Sequence, residues 1–457
     1  MKSLRIAFIP LLRATFDVEL AAELIDAVRA QLISAGFDLV LAPDPVSDQE
    51  TAEKIAKDLD GGGYDLLVIL QATFADSTMI TRLVEAVNVP IFLWALPEPW
   101  TGGRLRLNSL CGINLAAHAL TLRGMKYAYG YGLPDDYSVI ERIRTLAQVG
   151  SLLNKLRLTK FGVIGEHPAG MDSCHLDEAT LKAKFGVTIE PIPLEFLFNR
   201  TRMVADETVI QIRQGLDEKL ANLGVLDPQA VNGTLKVYAA LKDIATDKGL
   251  QGLAVRCWPE FFTELGCAAC GAMSMLSDGF NQQFPIPCSC EADINGTLTQ
   301  FILQTLSEKP AFGTDIVGVD QAADQIALWH CGLAPLSMAD PGEQPRATIH
   351  SNRQLPLLMD FTLKPGKVTI ARISRATGDL QLVVGEGEMV NSSKPFSGTA
   401  GTLRLDMTAK SFLDALIHKG LEHHVSMTYG HYAQSLSILG DWIDLPVVVL
   451  REKEVVI

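Results

Sequence analysis

VRCWPEFFTELGCAACGAMSMLSDGFNQQFPIPCSCEADINGTLT, residues 255–299, decides how the rest of the chain is read. Two short apolar runs lead into carboxylates here, LAV at 253–255 and FPIP at 284–287. The acids are Glu260 in WPE, and Glu291 and Asp293 in CEAD. Open α/β sheets place their chemistry where a strand ends and a helix begins. Acids gathered in an apolar setting need a cation or a shared proton. We read the stretch as the seat of a divalent metal.

The neighbouring segments extend the same pattern. KFGVIG (160–165), FGVTIEPI (185–192), LQGLAVRC (250–257) and FPIPCSC (284–290) read as strands, with helices through 194–246. NGTLTQFILQTL (295–306) reads as a helix whose positive end faces the acids. Residues 156–310 thus form an α/β domain that carries the catalytic carboxylates. Upstream, RIAFIPLL (5–12), DLVLA, YDLLVILQ and VPIFLWAL alternate with helical spacing at 18–36, 50–58 and 77–87. Unbroken apolar strands of this kind are covered on both faces, so 1–155 is a doubly wound parallel-sheet domain. Downstream of 311, DIVGVD, QIALWHC, RATIHS, KVTIARIS and DLQLVVGEGEMV are separated by Pro and Gly, with no long helix before 409–419. Residues 311–457 are therefore expected to form a C-terminal antiparallel β-rich, barrel-like domain that supplies histidine. The fold class is α/β: two doubly wound parallel-sheet domains followed by that β-rich unit.

Composition narrows the function. A chain of 457 residues can bury large cores in two or three domains. Its formal charge of −14 argues against a sequence-independent hold on nucleic acid. No apolar run reaches the ~18 residues of a membrane span. The start, MKSLRIAFIPLL, lacks the features of a secretory signal, and eight cysteines then imply reduced thiols in a cytoplasmic protein. A dinucleotide fingerprint, a P-loop and a nucleophile elbow are all missing.

Each candidate has a plainer reading beside the functional one. Glu260 follows Trp258 and Pro259 and could be a helix-opening acid stabilised by the dipole. The same delivery of acid by a strand occurs twice, however, which favours function. Glu291 and Asp293 would share a face of a strand, so spacing does not choose the ligand between them. His423 and His424 are adjacent, with His431 nearby. In a strand only one of the pair could serve a given site. His330, in WHCG, ends an apolar strand; a core histidine is usually just hydrogen-bonded. Cys267-x-x-Cys270 with Cys288-x-Cys290 could hold zinc, but the first pair sits in a helical, apolar run. Buried small residues are the better reading there.

Taken together, WPE (258–260), CEADINGTLT (290–299), HCGLAPLS (330–337) and EHHVSMTYGH (422–431) resemble the L-fucose isomerase and L-arabinose isomerase superfamily. QATFADSTM (71–79), NSLCGINLAAHAL (108–120) and GEHPAGM (165–171) are weaker echoes. The resemblance implies a metal-dependent aldose–ketose isomerase with Mn²⁺ or a similar ion and a homo-oligomer. Glu260 and Glu291 look like the metal-bridging carboxylates and acid–base pair, with Asp293 the alternative ligand. His424 looks like the metal-binding imidazole, and His330 matches a further ligand of the arabinose type. Arg13, Phe16, His118, Trp258 and His423 are candidates for binding the substrate. The implied substrate is an open-chain sugar of the fucose or arabinose type or a modified, even sulfonated, hexose. It would react through a cis-enediol. The alternatives are a catalytically silent sugar-binding protein of the same fold, or an epimerase or aldolase that uses the same enediolate.

Overall fold

The computed structural model describes residues 3–42, 44–59 and 61–452. The chain forms two compact units, Met1–Lys155 and Leu156–Ile457. In the first, β1 (Arg5–Leu11), β2 (Asp38–Leu41), β3 (Leu66–Gln71), β4 (Ile91–Ala95) and β5 (Ala128–Tyr131) form a parallel sheet in the order β2-β1-β3-β4-β5. Every residue of β3 and β4 is buried, which is why they read as unbroken apolar runs. The loops after β1 and β3 flank the point where the winding of such a sheet reverses, the usual ligand crevice of this architecture.

The second unit opens with another parallel sheet. Its strands are β6 (Lys160–Ile164), β7 (Thr188–Ile192), β8 (Gly252–Val255) and β9 (Cys288–Ser289), in the order β7-β6-β8-β9. The strand expected over 284–290 shrinks to Cys288–Ser289. Pro285 and Pro287 have no N–H to give a ladder, although the Pro287 carbonyl still accepts from Leu253 N at 2.9 Å. The remaining strands are β10 (Phe312–Asp320), β11 (Gln325–His330), β12 (Arg346–Thr348), β13 (Leu358–Thr362), β14 (Gly366–Ser374), β15 (Gln381–Val390), β16 (Thr399–Leu405), β17 (His424–Tyr429) and β18 (Val447–Leu450). Six of them close a ring in the order β16-β11-β10-β17-β14-β15 and back to β16, every pair antiparallel. Closure removes the free edges of those six strands. β13 and β18 add to the ring by parallel pairing, and β12 extends β13. The sequence reading did not name β13, β16 or β17.

One helix joins the two sheets of this unit. Ile294–Ser307 is buried around almost its whole circumference, as a helix apolar on every side must be. It packs against β8 on one side and against β14 and β17 on the other. Ser426 Oγ of β17 donates to Gly296 O at 3.2 Å, and Ile373 N of β14 donates to Thr299 Oγ1 at 3.0 Å. The helix N-terminus is thereby brought against the barrel strands that carry His424 and Arg372.

Candidate active site

The site begins with the turn between β9 and that helix. Glu291 and Ala292 both take left-handed backbone conformations, with φ of 60° and 55°. Such a conformation costs an L-residue about 1–2 kcal/mol, so two in a row persist only where the surroundings over-determine them. Ala292 N donates to Val255 O and Asp293 N to Cys290 O, both at 3.1 Å, and these bonds hold the turn. The strand-like alternation expected for CEAD is therefore wrong: Glu291 and Asp293 approach His424 from different sides. Asp293 caps the helix, accepting from Gly296 N at 3.0 Å. A Cβ on Gly296 would lie 2.7 Å from Asp293 Oδ2, so only glycine leaves room for that carboxylate.

His424 is the hub. Its Nδ1 lies 3.1 Å from Asp293 Oδ2. Its Nε2 lies 3.0 Å from Glu291 Oε2 and 3.6 Å from Asp315 Oδ1. Asp315 on β10 stands directly opposite His424 on β17, so the ladder itself pairs them. Trp258 Nε1 donates to Glu291 Oε1 at 3.0 Å. Behind Asp293, the buried Arg372 guanidinium binds the carboxylate through Nη1 and donates to Ser173 O through Nη2 at 2.8 Å. The two side chains are 2% and 3% exposed, so the pair is fully desolvated.

These contacts decide the charges. Burial works against ionised Asp293, but Arg372 and His424 outweigh it and hold the carboxyl far below its usual range. Burial likewise opposes the His424 imidazolium. Its hydrogen bonds to Asp293, Cys174 and Glu291 prevail, and its pKa is pushed up to about 12. Glu291 is lowered despite burial, chiefly by His424. The Asp293, Glu291 and Asp315 carboxylates around the ring outnumber Arg372, and they favour the imidazolium.

The depressed Asp293 carries a pH signature. A carboxyl lowered on folding stabilises the protein above its ordinary value of 3.8, and the contribution is lost as pH falls through the folded value. Thermal melts of the wild type below pH 3.8 should therefore fall more steeply with acid than melts of Asp293→Asn. Parallel curves would contradict this assignment.

The ligand-capable atoms of Cys174, Glu291 and His424 lie within 4.8 Å of one another, as do those of Asp315, His423 and His424. His423 precedes β17, so strand alternation does not separate it from its neighbour; the two rings lie 4.3 Å apart. His330 lines the same small pocket as Asp293, Asp315 and His424. Its Nδ1 accepts from Cys331 N at 2.9 Å, so a neutral ring carries its proton on Nε2 and has a donor to offer. Glu260 directly precedes a single π-helical turn, Phe261–Leu265, and forms a two-point ion pair with Arg256 at 2.7 and 3.0 Å. It is absent from the close donor groups found among the described residues.

In the first unit, Arg13 and Phe16 follow β1 at the reversal point. Arg13 pairs with Asp76 and Phe16 packs near Phe74, with ring centroids 6.3 Å apart. His118 is exposed in the last turn of helix Ser109–Thr121. Cys267 and Cys288 do not join Cys270 and Cys290: Cys267 lies beside Gly233, and Cys288 N donates to Ser277 Oγ at 3.1 Å.

Sequence reasoning missed Asp315, Arg372 and Cys174. Arg372 did carry a signal, since an arginine inside the apolar strand KVTIARIS has to be paired if it is buried. Asp315 gave none beyond an acid near the start of DIVGVD, because its partner lies more than a hundred residues away in sequence.

Comparison with known proteins matches the chain to a family. Residues 7–157 match the profile described as "Fucose/sulfoquinovose isomerase, N-terminal domain", and 359–451 match "L-fucose isomerase, C-terminal domain". The chain is 31% identical to the sulfoquinovose isomerase of Priestia aryabhattai over 97% of its own length and 99% of the relative's. The chain belongs to the fucose isomerase-like family. A sulfoquinovose isomerase of Alkalicoccus urumqiensis is 30% identical, with 98% and 100% covered. That of Clostridium sp. strain MSTE9 is 29% identical, with 97% and 99% covered. Like its family, this chain is an aldose–ketose isomerase of carbohydrate metabolism. Among the described residues, no helix is long and apolar enough to cross a membrane.

Proposed function

We propose that the protein is a metal-dependent isomerase that converts a sulfonated aldose to the ketose through a cis-enediol. The substrate class rests on the relatives' names. The metal rests on one observation: Glu291 and Asp315 converge on His424 Nε2, while Asp293 holds Nδ1 from behind. A carboxylate behind one ring nitrogen that frees the other for a metal is a common second-layer arrangement. A donor set of two carboxylates and an imidazole suits Mn²⁺ or a similar ion. The surplus of acid that drives His424 to the imidazolium form is what a bound divalent cation would relieve.

In this reading Glu291, Asp315 and His424 would hold the ion, and Arg372 fixes Asp293. The ion would supply charge stabilisation to the enediolate oxygens. Glu291 and Glu260 share the proton work between C1, C2 and their hydroxyls, their order left open. Trp258 orients Glu291, and His330 offers its Nε2–H to a substrate oxygen. In the first unit, Arg13, Phe16 and His118 are proposed substrate residues, with Arg13 suited to an anionic group.

The test is an aldose-to-ketose assay on sulfoquinovose, with fucose and arabinose beside it. Turnover of the sulfonated sugar should vanish after exhaustive chelation and return with Mn²⁺. Unchanged turnover in chelator would rule out the metal, and preference for the unsulfonated sugars would rule out the substrate.

A further inference from the structure

Beside the proposed site lies a group of thiols that the isomerase reading does not use. Cys270 Sγ lies 3.2 Å from Cys331 Sγ and 4.0 Å from Cys290 Sγ. Cys331 Sγ is also 3.2 Å from His330 Nδ1. Cys270 is buried at the start of helix Cys270–Asp278, whereas Cys331 is partly exposed just past β11. All are free thiols. The sulfur of Cys331 therefore has two things at once: a route to solvent and a second thiol in contact. Those are the ingredients of a peroxide-sensitive cysteine with a resolving partner.

We propose that Cys331 is an oxidation site for hydrogen peroxide and that Cys270 resolves it to an intramolecular disulfide. Cys331 gives its proton to solvent. Its sulfur then attacks one peroxide oxygen; the S–O bond forms, the O–O bond breaks, and the leaving hydroxide takes a proton from solvent as water. Cys270 sulfur attacks the sulfenic sulfur; the S–S bond forms, the S–O bond breaks, and a second water leaves with the Cys270 proton. Two thiols are oxidised and one peroxide is reduced to two waters. Metal binding at the same three residues is less favoured, because His330 Nδ1 is already engaged by Cys331 N.

The bond would reach the reaction. His330 lines the pocket that holds His424 and Asp315, and Cys331 is its chain neighbour. Drawing Cys331 onto Cys270 moves the imidazole, and a displacement near 1 Å at a reacting site costs up to about a hundredfold in rate.

Peptide mapping of the whole protein under non-reducing conditions, before and after hydrogen peroxide, tests the proposal. A cross-linked peptide containing Cys270 and Cys331 is expected, lighter than the two reduced peptides together by about 2 Da. It should revert with a thiol reductant. Oxidation confined to the exposed Cys111, or sulfinic acid at Cys331 without a cross-link, would overturn it. In Cys270→Ser, Cys331 should pass on to sulfinic acid; should that variant not fold, Cys331→Ser serves, and it should yield no disulfide at Cys270. On the isomerase reading, turnover should fall with cross-linking, by about tenfold or more, and recover on reduction. A complete cross-link with unchanged turnover would keep the disulfide and refute its coupling to the pocket.

Discussion

Replacing Glu291 by glutamine is expected to remove isomerase activity almost entirely. Loss of a positioned proton carrier costs about 10²–10⁴-fold. Loss of a ligand at the proposed metal adds to that, since Glu291 is one of two carboxylates on His424 Nε2. Glutamine keeps the shape of the side chain, and its amide oxygen can still accept from Trp258 Nε1. The variant should therefore fold and melt close to the wild type while binding Mn²⁺ more weakly by calorimetry. Near-normal turnover on the sulfonated aldose would remove Glu291 from the chemistry and, with it, the centre of the proposal.

Arg372→Met should produce the largest loss of stability. Removing one partner of a buried, hydrogen-bonded ion pair costs about 3–5 kcal/mol, because the other charge is left without compensation. Here the orphan would be Asp293, which also caps the joining helix and orients His424. Denaturant unfolding should show the loss directly. The double variant Arg372→Met/Asp293→Asn should recover part of it, because no buried carboxylate then lacks its cation. A single variant as stable as the wild type would mean that water reaches the pair.

How far the sequence alone carries depends on the range of each interaction. The parallel sheets were legible because β3 and β4 are buried on both faces and so read as continuous apolar runs. The barrel strands β13, β16 and β17 were not. LMDFT, TAGTLRL and HVSMTY are short and mixed in polarity, and their pairing is set by partners far away in the chain. Glu291, Asp293 and His424 were legible as a chemical set. Their arrangement around the ring was not, since the left-handed pair Glu291–Ala292 breaks the strand periodicity on which the expectation relied. From the WPE segment, Trp258 donates to Glu291 and Glu260 pairs with Arg256, contacts that the linear sequence does not show.

The helix Ile294–Ser307 has a consequence for anyone who would divide this protein. Its buried girth makes it common property of the parallel sheet and the barrel. A cut near 310 would look innocent in the sequence. It would leave Glu291 and Asp293 on one fragment and His424 and Arg372 on the other, each with a raw apolar face where the helix had lain. Chimeras between family members should exchange 156–457 as a block, because the two halves of the site travel together or not at all.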